Sequence, residues 1–347
     1  MRFGKSVLIA VLASLSVAAA YSGYWYYARG LALEAVADWL DLRREEGYRV
    51  LHDPIRTEGF PFVIRVLLKE PSVAAPDEIW RWRGERLTLE AQPWNLYRYR
   101  LEFHGAQEIM LERDGAPYSI TLESREATAI AGFWRDGQPK AASVLLREVR
   151  VSGGPGDWRA EEVWMEATRP EFPPATHTET ALTLSVNGSG IEMPADFNAP
   201  LGRMIEMLRG DFRLLGVIRN GPVEQAVEGW RRDGGTIEVP WLRAIWGRVD
   251  LRAQGGMALD EDWRPMGAFS ANIRGYAAGM DALADTAVIE PKTAAMAKIG
   301  LALLAKRPPE GGEPVLTVPV TAQSGQLYAG PVRIADLPRI RISVPRH

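Results

Sequence analysis

The chain contains no cysteine. Disulfides, thiolate metal sites and cysteine nucleophiles are therefore excluded, and an oxidising compartment is permitted without being required. Histidine is scarce too. His52, His104, His177 and His347 are the only four among 347 residues, and none of them forms an HxH, HxxxH or HExxH arrangement, so no His-based metal centre is expected. A net charge of −3 and the absence of any Lys/Arg run interleaved with aromatics exclude a nucleic-acid partner of the usual electrostatic kind. No flexible linker or low-complexity segment is present. Hydrophobic residues make up 46% and charged residues 24%, which is ordinary globular material, and the length suits one large domain or two ordinary ones.

Catalytic patterns are also thin. "NGSGIE" (187–192) sets a serine between glycines without the GxSxG spacing, and reads as a turn between strands. "SGGPGDW" (152–158) lacks GxGxxG spacing and precedes no helix, which argues against a phosphate cradle. "LDEDW" groups Asp260, Glu261 and Asp262, which could do acid–base work or hold a hard cation, but its position between two strand patterns predicts a solvated hairpin tip. No Ser–His–Asp grouping is apparent. The sequence predicts no catalytic residue, no metal and no cofactor, and ranks an enzyme third among the function classes.

What is present begins at the N-terminus. Arg2 and Lys5 precede an uncharged stretch, 6–28. As a helix it spans roughly 30 Å, the thickness of a bilayer core. Tyr24, Trp25, Tyr26 and Tyr27, followed by Arg29, fit a membrane-interface belt. The expectation is a transmembrane signal-anchor over 1–29, oriented N-in, in a bacterial inner membrane. The alternative is a cleaved signal peptide with an A-x-A site at Ala18–Ala20. Either way the remainder is exported, in a bacterium to the periplasm. A stalk helix over 30–47 follows, with Gly47 placed as its C-terminal stop.

Beyond residue 48 a period of two dominates, punctuated by Asp114-Gly115, Asp136-Gly137 and Asn187-Gly188. Closely spaced strands with short polar turns predict an antiparallel meander over 48–195. An α+β sub-region, 196–347, is expected to complete the same exported body. Helices are predicted over 201–210, over "PVEQAVEGWRR" with Pro222 near its first turn, and over 291–306 with Met296, Ile299, Leu303 and Leu304 as its apolar stripe. The predicted fold is mainly β (α+β): a long curved antiparallel sheet with a few packed helices, preceded by an N-terminal transmembrane helix.

The stretch "EGFPFVIRVLLKE" (58–70) puts Phe60, Phe62, Ile64, Val66 and Leu68 on one side of an extended chain, and residues 60–68 would reach about 30 Å. "WRWR" adds Trp80 and Trp82 at alternate positions. Aromatic residues at strand spacing usually belong to a core. The alternative is that these seven residues wall an apolar site for a lipid or other amphiphile.

These motifs carry a resemblance. Gly47-Tyr48, Glu58-Gly59-Phe60-Pro61-Phe62, "WRWR" at 80–83, "AQPWN" at 91–95, "GGMALDEDWRPMGAFSANIRG" at 255–275 and "GQLYAGPVRIADLPRI" at 325–340 together resemble an uncharacterised family of bacterial envelope proteins. That family is a domain of unknown function found mainly in alphaproteobacteria, and the resemblance covers nearly the whole chain. The 255–275 hairpin and the "GQLYAG" ending are also distantly similar to AsmA-type envelope proteins. That likeness implies an inner-membrane anchor, a β-rich body and a part in outer-membrane lipid homeostasis. The leading expectation is thus a non-enzymatic envelope protein that binds lipid. Its rival is a structural or assembly partner that docks another envelope protein by exposed sheet edges or aromatic patches.

Overall fold

A computed structural model describes residues 2–340 apart from 77, 114–115, 155, 220, 222, 288, 308–312 and 331, and leaves undescribed the side chains of 2–10, 113, 116, 223–224, 304, 332 and 334–335. The expected Asp114-Gly115 turn, most of the break after Arg307 and the side chain of Leu304 lie outside the described residues. The chain packs as two units, residues 1–119 with 128–138, and residues 120–127 with 139–347. Every strand pairing in both is antiparallel, so the mainly β reading holds.

The first unit contains α1 (Arg2–Glu45), β1 (Arg49–Leu51), β2 (Arg56–Glu58), β3 (Ile64–Lys69), β4 (Ser72–Ala74), β5 (Trp80–Gln92), β6 (Asn95–Arg113), and parts of β7 (Ala116–Glu123) and β8 (Glu126–Phe133). The anchor and stalk segments form one continuous helix. It ends in a Schellman motif: Gly47 N–H donates to the Arg44 carbonyl and Tyr48 N–H to the Arg43 carbonyl. The left-handed φ of 87° at Gly47 is one that a side chain would resist. Among the described residues no helix is long and apolar enough to cross a membrane.

The unit's core forms where α1 lies on β3. Trp25, Ala28 and Ala32 pack around Ile64, with Leu96 alongside. Three further contacts fix the helix. Tyr21 Oη donates to the Pro61 carbonyl at 2.6 Å, Tyr24 Oη to the Pro93 carbonyl at 2.7 Å, and Arg29 Nε to Thr57 Oγ1 at 2.7 Å. The small side chains of Ala28 and Ala32 let the helix approach closely, and Trp25 fills the space beside them.

The second unit contains β9 (Pro139–Gly153), β10 (Trp158–Thr168), β11 (Thr180–Glu192), β12 (Met204–Leu215), α2 (Val223–Arg232), β13 (Thr236–Trp246), β14 (Val249–Leu259), β15 (Pro265–Arg274), α3 (Tyr276–Asp285), α4 (Pro291–Leu304), β16 (Ala305–Lys306), β17 (Val315–Gln323), β18 (Gln326–Ala329) and β19 (Val332–Asp336). Strands β9 to β15 pair in chain order, and β17 follows on β15. The expected boundary at residue 195 falls inside this unit, between two strands that pair along most of their length.

Two predicted elements are corrected, and one helix is added. The helix expected over 201–210 is strand β12, held on both sides by β11 and β13. Adjacent apolar residues such as Met207 and Leu208 satisfy either period, and the two flanking ladders decide between them. The turn expected at Asn187-Gly188 is the middle of β11: Asn187 lies opposite Trp164 and Gly188 opposite Val163. The chain adapts at Gly190 instead, whose φ is 57° and whose missing side chain leaves room for Glu161. Helix α3 was not anticipated, although Ala277, Ala278, Ala282 and Leu283 are strong helix formers. The turns at Asp136-Gly137 and at Asp260 are present. At the latter, Asp260 Oδ1 accepts from the Asp262 and Arg264 N–H groups at 2.9 and 2.8 Å, a role for this carboxylate in shaping the hairpin.

Candidate functional site: an open apolar sheet face

Pleating sorts the second unit's sheet into two chemically distinct faces. One row across it runs Val144, Met165, Val186, Gly210, Leu242, Ala253, Ala271 and Val318, each opposite the next. Two residues along every strand, a second row runs Leu146, Val163, Gly188, Leu208, Ala244, Leu251, Ile273 and Leu316. Both rows point to the same side. No charged or hydroxyl-bearing residue interrupts either.

The intervening positions point the other way, apolar at Leu145 and Trp164 on β9 and β10 and polar from Asn187 on β11 onward. Arg209 Nε donates to Asn187 Oδ1 at 2.8 Å, and Thr317 Oγ1 to Asn272 Oδ1 at 2.7 Å. Asp211 accepts from Ser185 Oγ and from Trp241 Nε1, each at 2.6 Å. Arg243 forms a two-pronged pair with Asp250, both contacts at 3.0 Å. Its guanidinium holds the Asp250 carboxyl below the ordinary carboxylate range, chiefly by hydrogen bonding. A carboxyl depressed in the folded state stabilises the fold above its unfolded pKa, and that stability is lost as pH falls through the folded value. Asp250→Asn is therefore expected to cost about 1 kcal/mol at pH 7 after allowance for partial exposure. The gap from the unmodified protein should close in acid below the ordinary carboxylate range, as read by urea unfolding across pH.

Cover over the apolar face is uneven. At the β14–β15–β17 end, Leu301 of α4 with Tyr276 and Met280 of α3 lies on the rows, and Ala271, Val318 and Leu316 are only 1–2% exposed. Over β9 to β12 the same rows are only half-buried at Val144, Leu146, Val163, Val186 and Leu208, and Met165 is 40% exposed. The uncovered part spans four strands at about 4.8 Å each, wide enough for acyl chains to lie across it. It offers hydrocarbon contact, with no donor or acceptor to direct a reaction.

The residues singled out from the sequence lie elsewhere, in the first unit. Strand β3 begins at Ile64, four residues later than the pattern implies, because Gly59 to Val63 close a turn through Val63 N–H to the Gly59 carbonyl. Ile64, Val66 and Leu68 are buried, so they are core and not the wall of an open groove. Phe60 and Phe62 precede the strand and are exposed, Phe62 by 73%. Phe60 packs edge-on against Trp25 and stacks near Tyr26. Trp80 and Trp82 are half-buried, beside Tyr48 and Phe103 respectively. The expected interface belt also divides. Trp25 is 4% exposed inside the first unit, Tyr24 and Arg29 bond to it as above, Tyr26 is exposed but lies against Trp25 and Phe60, and Tyr27 is exposed.

The other face of β3 belongs to a charged cleft of about 420 Å³ lined by Arg56, Glu58, Arg65, Arg86, Glu102 and His104, among others. Arg65 sits between Glu58 and Glu90, whose hydrogen bonds raise its pKa. The rows on β9 to β12 escaped the sequence reading because each strand contributes only two or three apolar residues at period two. The signal that could have found them was the register of four successive strands.

A family profile described as "Uncharacterized protein conserved in bacteria (DUF2125)" matches residues 25–338. No curated protein and no solved structure is detectably similar.

Proposed function

The chain belongs to this DUF2125 family of bacterial proteins, and we propose that it is a membrane-anchored envelope protein that holds a lipid or other amphiphile on the open apolar face of β9 to β12. One observation carries the reading: two apolar rows that are sealed by helices at one end of the sheet continue half-exposed over four more strands. Apolar surface of that extent on a monomer usually marks a binding site. Burial of hydrocarbon there would stabilise a complex by about 0.8 kcal/mol per methylene before association costs.

Membrane attachment is the second half of the proposal. It rests on residues 6–20 behind Arg2 and Lys5, the part of the uncharged 6–28 stretch that precedes the contacts of α1 with its own unit, within a helix of 44 residues. The proposed placement is the inner membrane, N-in, with the body in the periplasm. The distant likeness to AsmA-type proteins and the Gly59-Phe60-Pro61-Phe62 motif agree with an alphaproteobacterial envelope role. No catalytic step is proposed.

The test uses the full chain in nanodiscs with a phosphatidylethanolamine that carries a photoreactive group on its acyl chain. Adducts are expected on peptides bearing Met165 and Val186, in addition to α1. Val186→Glu, which sets a charge on the apolar face, should reduce the β10–β11 adduct about tenfold, whereas Thr183→Glu on the opposite face should leave it unchanged. Adducts confined to α1 would remove the lipid-binding reading. A protein crosslinked to this face in cells, with no lipid adduct, would favour the assembly-partner alternative.

A further inference from the structure

The last long helix is turned inside out relative to its expected packing. The buried residues of α4 are Ala294, Ala297 and Leu301, and Leu301 packs on the sheet at Ala271, Leu316 and Val318. The larger residues of its apolar stripe face away: Met296 is 67% exposed, Ile299 70% and Leu303 85%. A helix that is apolar on both sides is usually enclosed on both sides. Here the sheet encloses one side only.

Within the helix itself the charges are of one sign, with Glu290 at its N-cap and Asp281 of α3 alongside. From 291 to 307, "PKTAAMAKIGLALLAKR", there are four cations and no acidic residue. Lys298 is held by Asp281 of α3 at 2.7 and 2.8 Å. Lys292, Lys306 and Arg307 are exposed and form no ion pair among the described residues. Lys292 stands four residues before Met296, on the same side of the helix, and Lys306 and Arg307 follow the helix end. The apolar ridge is thus bracketed by free cations at both ends. Exposed bulky side chains flanked by unpaired lysines and arginine are what an interfacial helix needs: the ridge enters the headgroup–acyl boundary while the cations meet anionic headgroups.

We propose that the outward face of α4 docks the exported body onto an anionic bilayer surface, through Met296, Ile299 and Leu303 with Lys292, Lys306 and Arg307. This contact is separate from the anchor in α1 and rests on the membrane placement above only in assuming that a bilayer is within reach.

The absence of native cysteine gives a clean test. Single cysteines are introduced into the full chain as Ile299→Cys or Leu303→Cys, labelled with an environment-sensitive fluorophore, and reconstituted into vesicles of phosphatidylcholine alone or mixed with phosphatidylglycerol. Flotation with the neutral vesicles reports on α1. A blue-shifted emission quenched by doxyl-labelled lipid is expected at both positions with the anionic vesicles. Ser270→Cys, exposed on the opposite side of β15, should show neither effect. The quenching should fall several-fold with Lys292→Glu plus Lys306→Glu, or at high salt. Floating protein that shows no quenching at 299 or 303 overturns the docking face while leaving α1 intact. A blue shift that rises with protein density and ignores phosphatidylglycerol would assign the ridge to a second copy of the chain and also overturn the proposal.

Discussion

Trp25→Ala is expected to lower the stability of the first unit by about 3–5 kcal/mol, among the largest losses any single substitution in this chain should cause. The residue arrives from the N-terminal helix, where its composition suggests a membrane belt, yet it is 4% exposed. Its indole N–H donates to the Val63 carbonyl at 3.3 Å, and its ring meets Phe60 edge-on at 5.4 Å. Truncation leaves a cavity between Ala28, Ala32 and Ile64, residues too small or too fixed to refill it. The expected measurement is denaturant unfolding of the full chain in detergent, together with limited proteolysis near residue 30. The variant should show both a lower midpoint and faster cleavage, since α1 no longer seats on β3. Trp25→Phe should recover part of the loss by restoring aromatic packing without the N–H. A loss below about 1 kcal/mol for Trp25→Ala would mean that α1 does not dock as described.

Trp230→Ala should have a comparable effect on the second unit, about 3–5 kcal/mol. This tryptophan is the packed face of α2 and is 5% exposed. Its Nε1 donates to the Leu215 carbonyl at 2.7 Å, a bond that is itself buried. The ring sits where any side chain at Gly216 or Gly235 would collide with it, so those two glycines form its seat. Two costs combine: the cavity left by the ring and the unsatisfied Leu215 carbonyl, the latter about 1–3 kcal/mol. Trp230→Phe separates them, because it retains most of the packing and loses the hydrogen bond. It should fall between the parent and the alanine variant in urea unfolding. Equal losses for both variants would place the whole effect on the hydrogen bond and not on packing.

Much of this fold is legible in the sequence because its causes are local. Alternation over "TALTLSV" states which side chains share a face. The Asp260 side chain shapes its own hairpin within four residues. Gly47 stops α1 by its own backbone freedom. The 291–304 helix follows from its own residues as well. The open site is only partly legible: each strand shows its apolar positions, but no strand says which neighbour will complete a row or whether a helix will lie on it.

The cysteine-free composition, the uncharged 6–28 stretch, the dominance of antiparallel strands and the apolar or polar character of each strand face are properties of the sequence alone. The tertiary structure decided which faces are covered. It buried Ile64 under the chain's own helix and turned Met296, Ile299 and Leu303 outward. It also made a strand of 204–215 by supplying a ladder on each side. The physical reason is the range of the interactions. Side-chain direction along a strand or helix is set by neighbouring residues. Burial depends on elements brought from far along the chain, as Trp25 is brought to Val63 and Leu301 to Leu316. Periodicity names a face, and only packing selects what covers it.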